Sequence, residues 1–153
     1  MRHTIDVCLD VAETMNAVRV LLAEDGSAMG RQLRGLLAEQ FEVIGLVQDG
    51  ASLVKAAQSM LPDVVVTDIG MPEINGLEAA RQLRRERPVL GVVFITVHAE
   101  PQMVAQAMAL GGCGYVLKSD AGDDLTTAVI AAARGEAFVS RSLSPAVQPH
   151  VGR

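Results

Sequence analysis

Between Val18 and about Glu136, short apolar runs take turns with segments whose apolar residues recur every three to four positions. No other feature limits the chain as much, because a helix after each strand is what a parallel sheet covered on both faces requires. Val18 to Ala23, Asp63 to Thr67 and Gly91 to Thr96 are nearly continuous apolar strands, which suits central positions buried on both sides. Phe41 to Val47, interrupted by Glu42 and Gly45, and the short Gly114 to Leu117 suit the sheet edges. Met29, Leu33, Leu36 and Leu37 mark a first helix, and Leu53, Val54, Ala57 and Leu61 a second. Leu77, Ala80 and Leu83 mark a third, and Met103, Val104, Ala107 and Met108 a fourth. Leu125, Ala128, Val129 and Ala132 give a fifth, with Asp123 and Asp124 at its dipole-favoured start. Five strands and five helices, joined by right-handed crossovers, make a doubly wound α/β sheet of strand order 2-1-3-4-5 the economical topology.

At 153 residues the chain suits one domain, placed here at 18–136. Residues 1–17 alternate weakly (Ile5, Val7, Leu9, Val11), Met15 is a second candidate start, and no role is assigned to them. Residues 137–153, with Ser140, Ser142, Ser144, Pro145 and Pro149, read as a linker-like tail. No apolar stretch approaches the roughly 20 residues of a membrane span, and no secretory signal opens the chain, so the cytoplasm is the expected compartment. Cys8 and Cys113 match no metal or redox spacing and are read as reduced thiols, Cys113 as a small buried filler. A net charge of −5 and 3% aromatic residues argue against direct nucleic-acid binding.

Polar residues stand at four strand ends: Glu24 and Asp25 after the first, Asp68 after the third, Thr96 closing the fourth and Lys118 after the fifth. In a parallel sheet these ends share one edge, and ligands bind there near the switch in strand order. Three carboxylates brought together repel unless a cation neutralises them, and an oxygen-only donor set favours Mg²⁺ or Mn²⁺ over Zn²⁺. Magnesium prefers a phosphate as a further ligand, while Lys118 and Thr96 offer a cation and a hydroxyl to the same oxygens. Taken singly, each residue has an ordinary reading as a cap, a solvated charge or a β-branched strand residue. The conjunction of five of them carries the specificity.

The segments "VLLAEDGSAMGRQL", "VVVTDIGMPEINGLEAARQLR", "VVFITVHAE" and "GYVLKSD" resemble the successive signatures of bacterial two-component response-regulator receiver domains, over about residues 18–136. The resemblance implies Asp68 as phosphoacceptor, Asp25 as a direct Mg²⁺ ligand, Glu24 as a ligand through water, and the Gly70 carbonyl as the third protein oxygen. It further implies Thr96 and Tyr115 as a switch pair, with Tyr115 moving into space that Thr96 vacates, and Lys118 as the phosphoryl-binding cation. The implied partner is a sensor histidine kinase or phosphotransfer protein, with self-association or partner capture on activation through the fourth-helix to fifth-helix face. "GYVLKSDAGDDL" and "ARGEAFVSRSL" are most similar to receivers of nitrate-regulator type fused to a helix-turn-helix. With 18 residues after Gly135, a stand-alone or truncated receiver is expected.

Several positions qualify the resemblance. Asn75 is read as the cap of the third helix. Ser119 replaces a proline common in the family, so a trans bond is expected after Lys118. Val97 is expected to narrow the phosphoryl pocket, and Gly70 and His98 to flank it. Arg81, Arg84, Arg85 and Arg87, with Glu86 among them, read as a solvated helix face. The rival readings are a Mg-dependent phosphatase or phosphotransferase of haloacid-dehalogenase type and a degenerate receiver that only binds proteins. The first lacks the second aspartate two residues after Asp68, where Gly70 stands.

Overall fold

The computed structural model describes residues 18–143. Its elements follow the expected alternation: β1 (Arg19–Ala23), α1 (Ser27–Ala38), β2 (Glu42–Val47), α2 (Gly50–Met60), β3 (Val64–Thr67), α3 (Gly76–Glu86), β4 (Gly91–Thr96), α4 (Pro101–Met108), β5 (Cys113–Leu117), α5 (Ala121–Ala133) and β6 (Phe138–Val139). All strand pairs are parallel, in the order β2-β1-β3-β4-β5-β6. The strand period sorts the core onto two faces. Leu21, Val65, Val92, Phe94 and Tyr115 face α2, α3 and α4, whereas Val20, Leu22, Val66, Val93, Ile95 and Val116 face α1 and α5. Both sets are buried, which is why β1, β3 and β4 read as continuous apolar runs.

The strand count corrects the expectation of five. Phe138 and Val139 pair with Gly114 and Tyr115 as a sixth strand, so β5 is not an edge. Ser140, which made this segment look like a linker, is fully buried inside the fold, its N–H donating to the Tyr115 carbonyl at 2.9 Å. Val139 and Leu143 join the core on the Tyr115 face. Residues 1–17, with Met15 and Cys8, and the tail beyond Leu143 lie outside the described residues.

Local chemistry sets the boundaries of the helices near the site. The Asp49 carboxylate caps α2 by accepting from Ser52 N–H at 2.7 Å, and the Asn75 side chain caps α3 by accepting from Glu78 N–H at 2.9 Å. Glycine at 76 is required by close packing: a Cβ there would overlap the Asp68 carbonyl oxygen. The Lys118–Ser119 peptide bond is trans, as expected.

The arginine cluster also needs correction. Arg84 is not solvated: its guanidinium donates to the carbonyls of Leu90 (2.6 Å), Leu110 (3.2 Å), Gly111 (2.8 Å) and Gly112 (3.2 Å). It thereby ties the end of α3 to the turns that enter β4 and β5. Arg81 keeps the solvated role, 3.2 Å from Glu78 one turn earlier.

Candidate functional site

The site lies where β1 and β3 end, with β2 leaving to one side of β1 and β3 to the other. Two backbone bonds fix the loops: Asp68 N–H donates to the Ala23 carbonyl (3.0 Å) and Glu24 N–H to the Val47 carbonyl (2.9 Å). One carboxylate oxygen from each of Glu24, Asp25 and Asp68 falls within 4.8 Å of the others. Glu24 and Asp68 are buried, 2% and 7% exposed, while Asp25 opens to solvent. Lys118, just past β5, sends its ammonium between them. Its Nζ donates to Asp68 Oδ2 at 2.9 Å and to Glu24 Oε2 at 3.3 Å. The same Nζ lies 3.0 Å from Glu24 Oε1, out of line for a hydrogen bond, so this buried oxygen is left without one.

Burial raises the Glu24 pKa above its ordinary value, and the nearby Asp68 charge adds to the rise; the Gly26 N–H and Lys118 oppose it without cancelling it. For Lys118, burial acts downward, but the hydrogen bonds and charges of Asp68 and Glu24 outweigh it and the net shift is upward. The ammonium is thus held as a cation facing an excess of carboxylates. An under-bonded buried Glu24 oxygen within a cluster of hard oxygen donors fits a small divalent cation.

The other candidate residues occupy the same edge in different roles. Asp68 Oδ1 accepts a 3.3 Å bond from Gly70 N–H. Thr96 is fully buried, and its hydroxyl accepts from His98 N–H at 3.2 Å without bonding to Asp68 or Lys118. His98 Nδ1 sits 3.4 Å from Glu100 Oε1, at the start of α4. Val97 is 70% exposed.

A family model described as the response regulator receiver domain matches residues 20–130. The chain belongs to the response-regulator receiver family. Among known proteins it is 31% identical to the transcriptional regulatory protein DegU of Brevibacillus brevis, over 81% of this chain and 53% of that protein. It is likewise 31% identical to the response regulator GacA of Pseudomonas aeruginosa, over 83% of this chain and 60% of that protein. The chain therefore spans little more than half the length of these relatives. Among solved structures, the isolated receiver domain of RcsB from Salmonella enterica serovar Typhimurium, in the presence of phosphomimetic BeF₃⁻, superposes with a TM-score of 0.77 at 25% identity, covering 88% of this chain and all of that one. The receiver domain of a NarL-type regulator from Mycobacterium tuberculosis gives 0.71 at 28% identity, over 79% and 99%.

In this receiver the fold gathers Glu24, Asp25 and Asp68, joins Lys118 to Glu24 and Asp68, and links Thr96 and Tyr115 through the backbone of His98. Tyr115 stands inside the fold. The ring is already fully buried in the core next to Phe94, and its hydroxyl donates to the His98 carbonyl at 2.8 Å. An aromatic body with a satisfied polar tip is stable inside. The residues that sequence reasoning missed are Asp120 and Ser140. Asp120 stood within the quoted "GYVLKSD", but its partners lie 20 and 22 residues further on, and no local spacing announces such a pairing.

Proposed function

We propose that this receiver accepts a phosphoryl group on Asp68, from a phosphohistidine of a sensor kinase or phosphotransfer protein or from a small acyl phosphate. The observation that carries the reading is the buried Asp68 carboxylate, held at 2.9 Å by Lys118 inside a three-carboxylate cluster. An Asp68 oxygen attacks phosphorus in line, an O–P bond forms, the donor's N–P or O–P bond breaks, and the imidazole or carboxylate leaves with the bonding pair. Lys118 is within reach of the transferred oxygens and offsets their charge, and Gly70 N–H steadies the remaining Asp68 oxygen. Mg²⁺, with Mn²⁺ as the alternative, when held by Glu24, Asp25, Asp68 and the Gly70 carbonyl, supplies further charge neutralisation at the phosphoryl group. A cavity of about 510 Å³, lined by Met29, Gln32, Leu36, Lys118, Ser119 and Gly122, opens beside Lys118 and suits an approaching donor protein.

The new dianion draws the Thr96 hydroxyl toward it. That movement releases His98 N–H, and the His98 carbonyl is the acceptor that holds Tyr115, so the change passes along Thr96, His98 and Tyr115 to the start of α4. Output then goes through protein contacts on the α4–β5–α5 face, by self-association or by capture of a partner, without direct DNA binding, in the cytoplasm. Among the described residues no helix is long and apolar enough to cross a membrane. A haloacid-dehalogenase reading is disfavoured by Gly70, and a purely binding receiver by the complete set of site residues.

Intact-mass analysis after incubation with Mg²⁺ and acetyl phosphate tests the proposal. One added phosphoryl on the wild type and none on Asp68→Ala is the expected result. An unmodified wild type, or modification that persists in Asp68→Ala, overturns it.

A further inference from the structure

The family match ends at residue 130, yet the turn that carries Lys118 is fastened from beyond that limit. After α5 the chain returns along β5, and Ser140 arrives beside this turn fully buried. Its N–H donates to the Tyr115 carbonyl (2.9 Å) and its Oγ accepts from Leu117 N–H (3.2 Å). The Ser140 hydroxyl in turn donates to Asp120 Oδ2 at 2.6 Å and lies 3.3 Å from Asp124 Oδ2. Residues 115, 117, 120 and 124 bracket Lys118 on both sides.

The flanking residues hold Ser140 in place. Val139 and Leu143 are buried, 7% and 4% exposed. Ser142 Oγ donates to the same Asp120 oxygen, and Arg141 N–H donates to Asp124 Oδ2 at 3.2 Å, with its Nε 3.5 Å from Oδ1. Asp124 is 1% exposed, so the backbone N–H of Arg141 is held by a buried carboxylate, while the Arg141 side chain lies at the surface.

We infer that Ser140 is a positioning residue for phosphoryl transfer: through Asp120 and the Leu117 amide it fixes the backbone on either side of Lys118, and so sets where the ammonium stands relative to Asp68. This deepens the proposed function and rests on it for its kinetic consequence. Glu24, Asp25 and Asp68 stand on the β1 and β3 ends, and Lys118 bridges Glu24 and Asp68. Loss of Ser140 therefore reaches the carboxylate cluster through the lysine.

A two-readout cycle tests the assignment. Lys118 and Lys55 are the only lysines in the chain, so acylation by an amine-reactive ester, mapped by peptide mass, carries its own internal standard. In the wild type Lys118 is 15% exposed and engaged by two carboxylates. Ser140→Ala is expected to raise labelling of Lys118 several-fold relative to Lys55. It is also expected to slow uptake of phosphoryl from acetyl phosphate about tenfold, the scale of one or two lost hydrogen bonds. In a Lys118→Met background the same serine change should leave the residual rate unaltered, because the residue through which it acts is gone. Because Lys118 and a cation neutralise the same carboxylates, Ser140→Ala should also lower the Mg²⁺ concentration that half-stabilises the fold against heat. Asp120→Ala tests the same link without altering the buried serine, and should reproduce both effects.

Unchanged Lys118 labelling in both Ser140→Ala and Asp120→Ala overturns the inference, as does equal slowing in the wild-type and Lys118→Met backgrounds. If the wild type takes up no phosphoryl, the proposed function fails while the labelling ratio still decides whether Ser140 positions Lys118.

Discussion

Replacing Lys118 by methionine keeps most of the side-chain volume and removes the one cation that the cluster contains. The ammonium lies 2.9 Å from Asp68 and 3.0 Å from Glu24, so each attraction is worth a gross ~5–6 kcal/mol at an effective dielectric constant of about 20. Desolvation of the lysine offsets much of that, and the loss has a ceiling. Once the cation is gone, the buried Glu24 carboxylate escapes repulsion by binding a proton. With an ordinary pKa of 4.5, that protonation costs roughly 3 kcal/mol at pH 7, at about 1.4 kcal/mol per pH unit.

The direction with pH follows from the same step. A carboxyl whose folded-state pKa is raised destabilises the fold progressively as pH climbs above its unfolded value. The deficit of Lys118→Met should thus reach about 3 kcal/mol at pH 7 and nearly vanish toward pH 4.5. Urea unfolding by circular dichroism in EDTA, at pH 5 and pH 7, measures it. At pH 7 the melting temperature should fall by roughly 6–12 °C. Added Mg²⁺ should restore more stability to the variant than to the wild type, since it replaces the missing charge. A variant as stable as the wild type in EDTA at pH 7, or a deficit that does not shrink at pH 5, would refute the reasoning.

Burial pushes the Cys113 thiol from 9.0 up to about 11; the folded state therefore favours the protonated thiol, and between pH 9 and 11 the wild type should lose about 2 kcal/mol of stability that Cys113→Ala does not lose, read from paired urea midpoints. Gly76→Ala forces a Cβ against the Asp68 carbonyl oxygen and should cost about 1–3 kcal/mol in thermal unfolding while slowing phosphoryl uptake at Asp68. Arg84→Ala leaves the carbonyls of Leu90, Leu110, Gly111 and Gly112 without their shared donor and should cost about 3 kcal/mol or more in urea unfolding, whereas Arg81→Ala, at an exposed ion pair, should change it by less than about 1 kcal/mol.

Periodicity made the first five strands and all five helices legible, because burial on both faces leaves an unmistakable apolar pattern in β1, β3 and β4. The site was legible for a related reason: parallel strands place all their ends on one edge, so Glu24, Asp25, Asp68 and Lys118 had to converge once the strands were assigned. What escaped reading depends on partners distant in sequence. Ser140 looks like tail composition until Tyr115, Leu117 and Asp120 are seen around it. Arg84 looks like surface charge until four backbone carbonyls surround its guanidinium. The hydroxyl partner of Tyr115 is a backbone carbonyl, that of His98, which residue type does not reveal.

The two residues of β6 also change what counts as the boundary of the domain. A chain cut at residue 130, or at 136 where the helical pattern ends, would lay bare the outer flank of β5 and its unpaired peptide groups at Gly114 and Tyr115. Such a flank is a template for strands from other molecules, and short terminal strands are one of the ways natural sheets blunt it. Val139 and Leu143 are buried in the core as well, so a trimmed receiver that keeps β5 covered has to retain them.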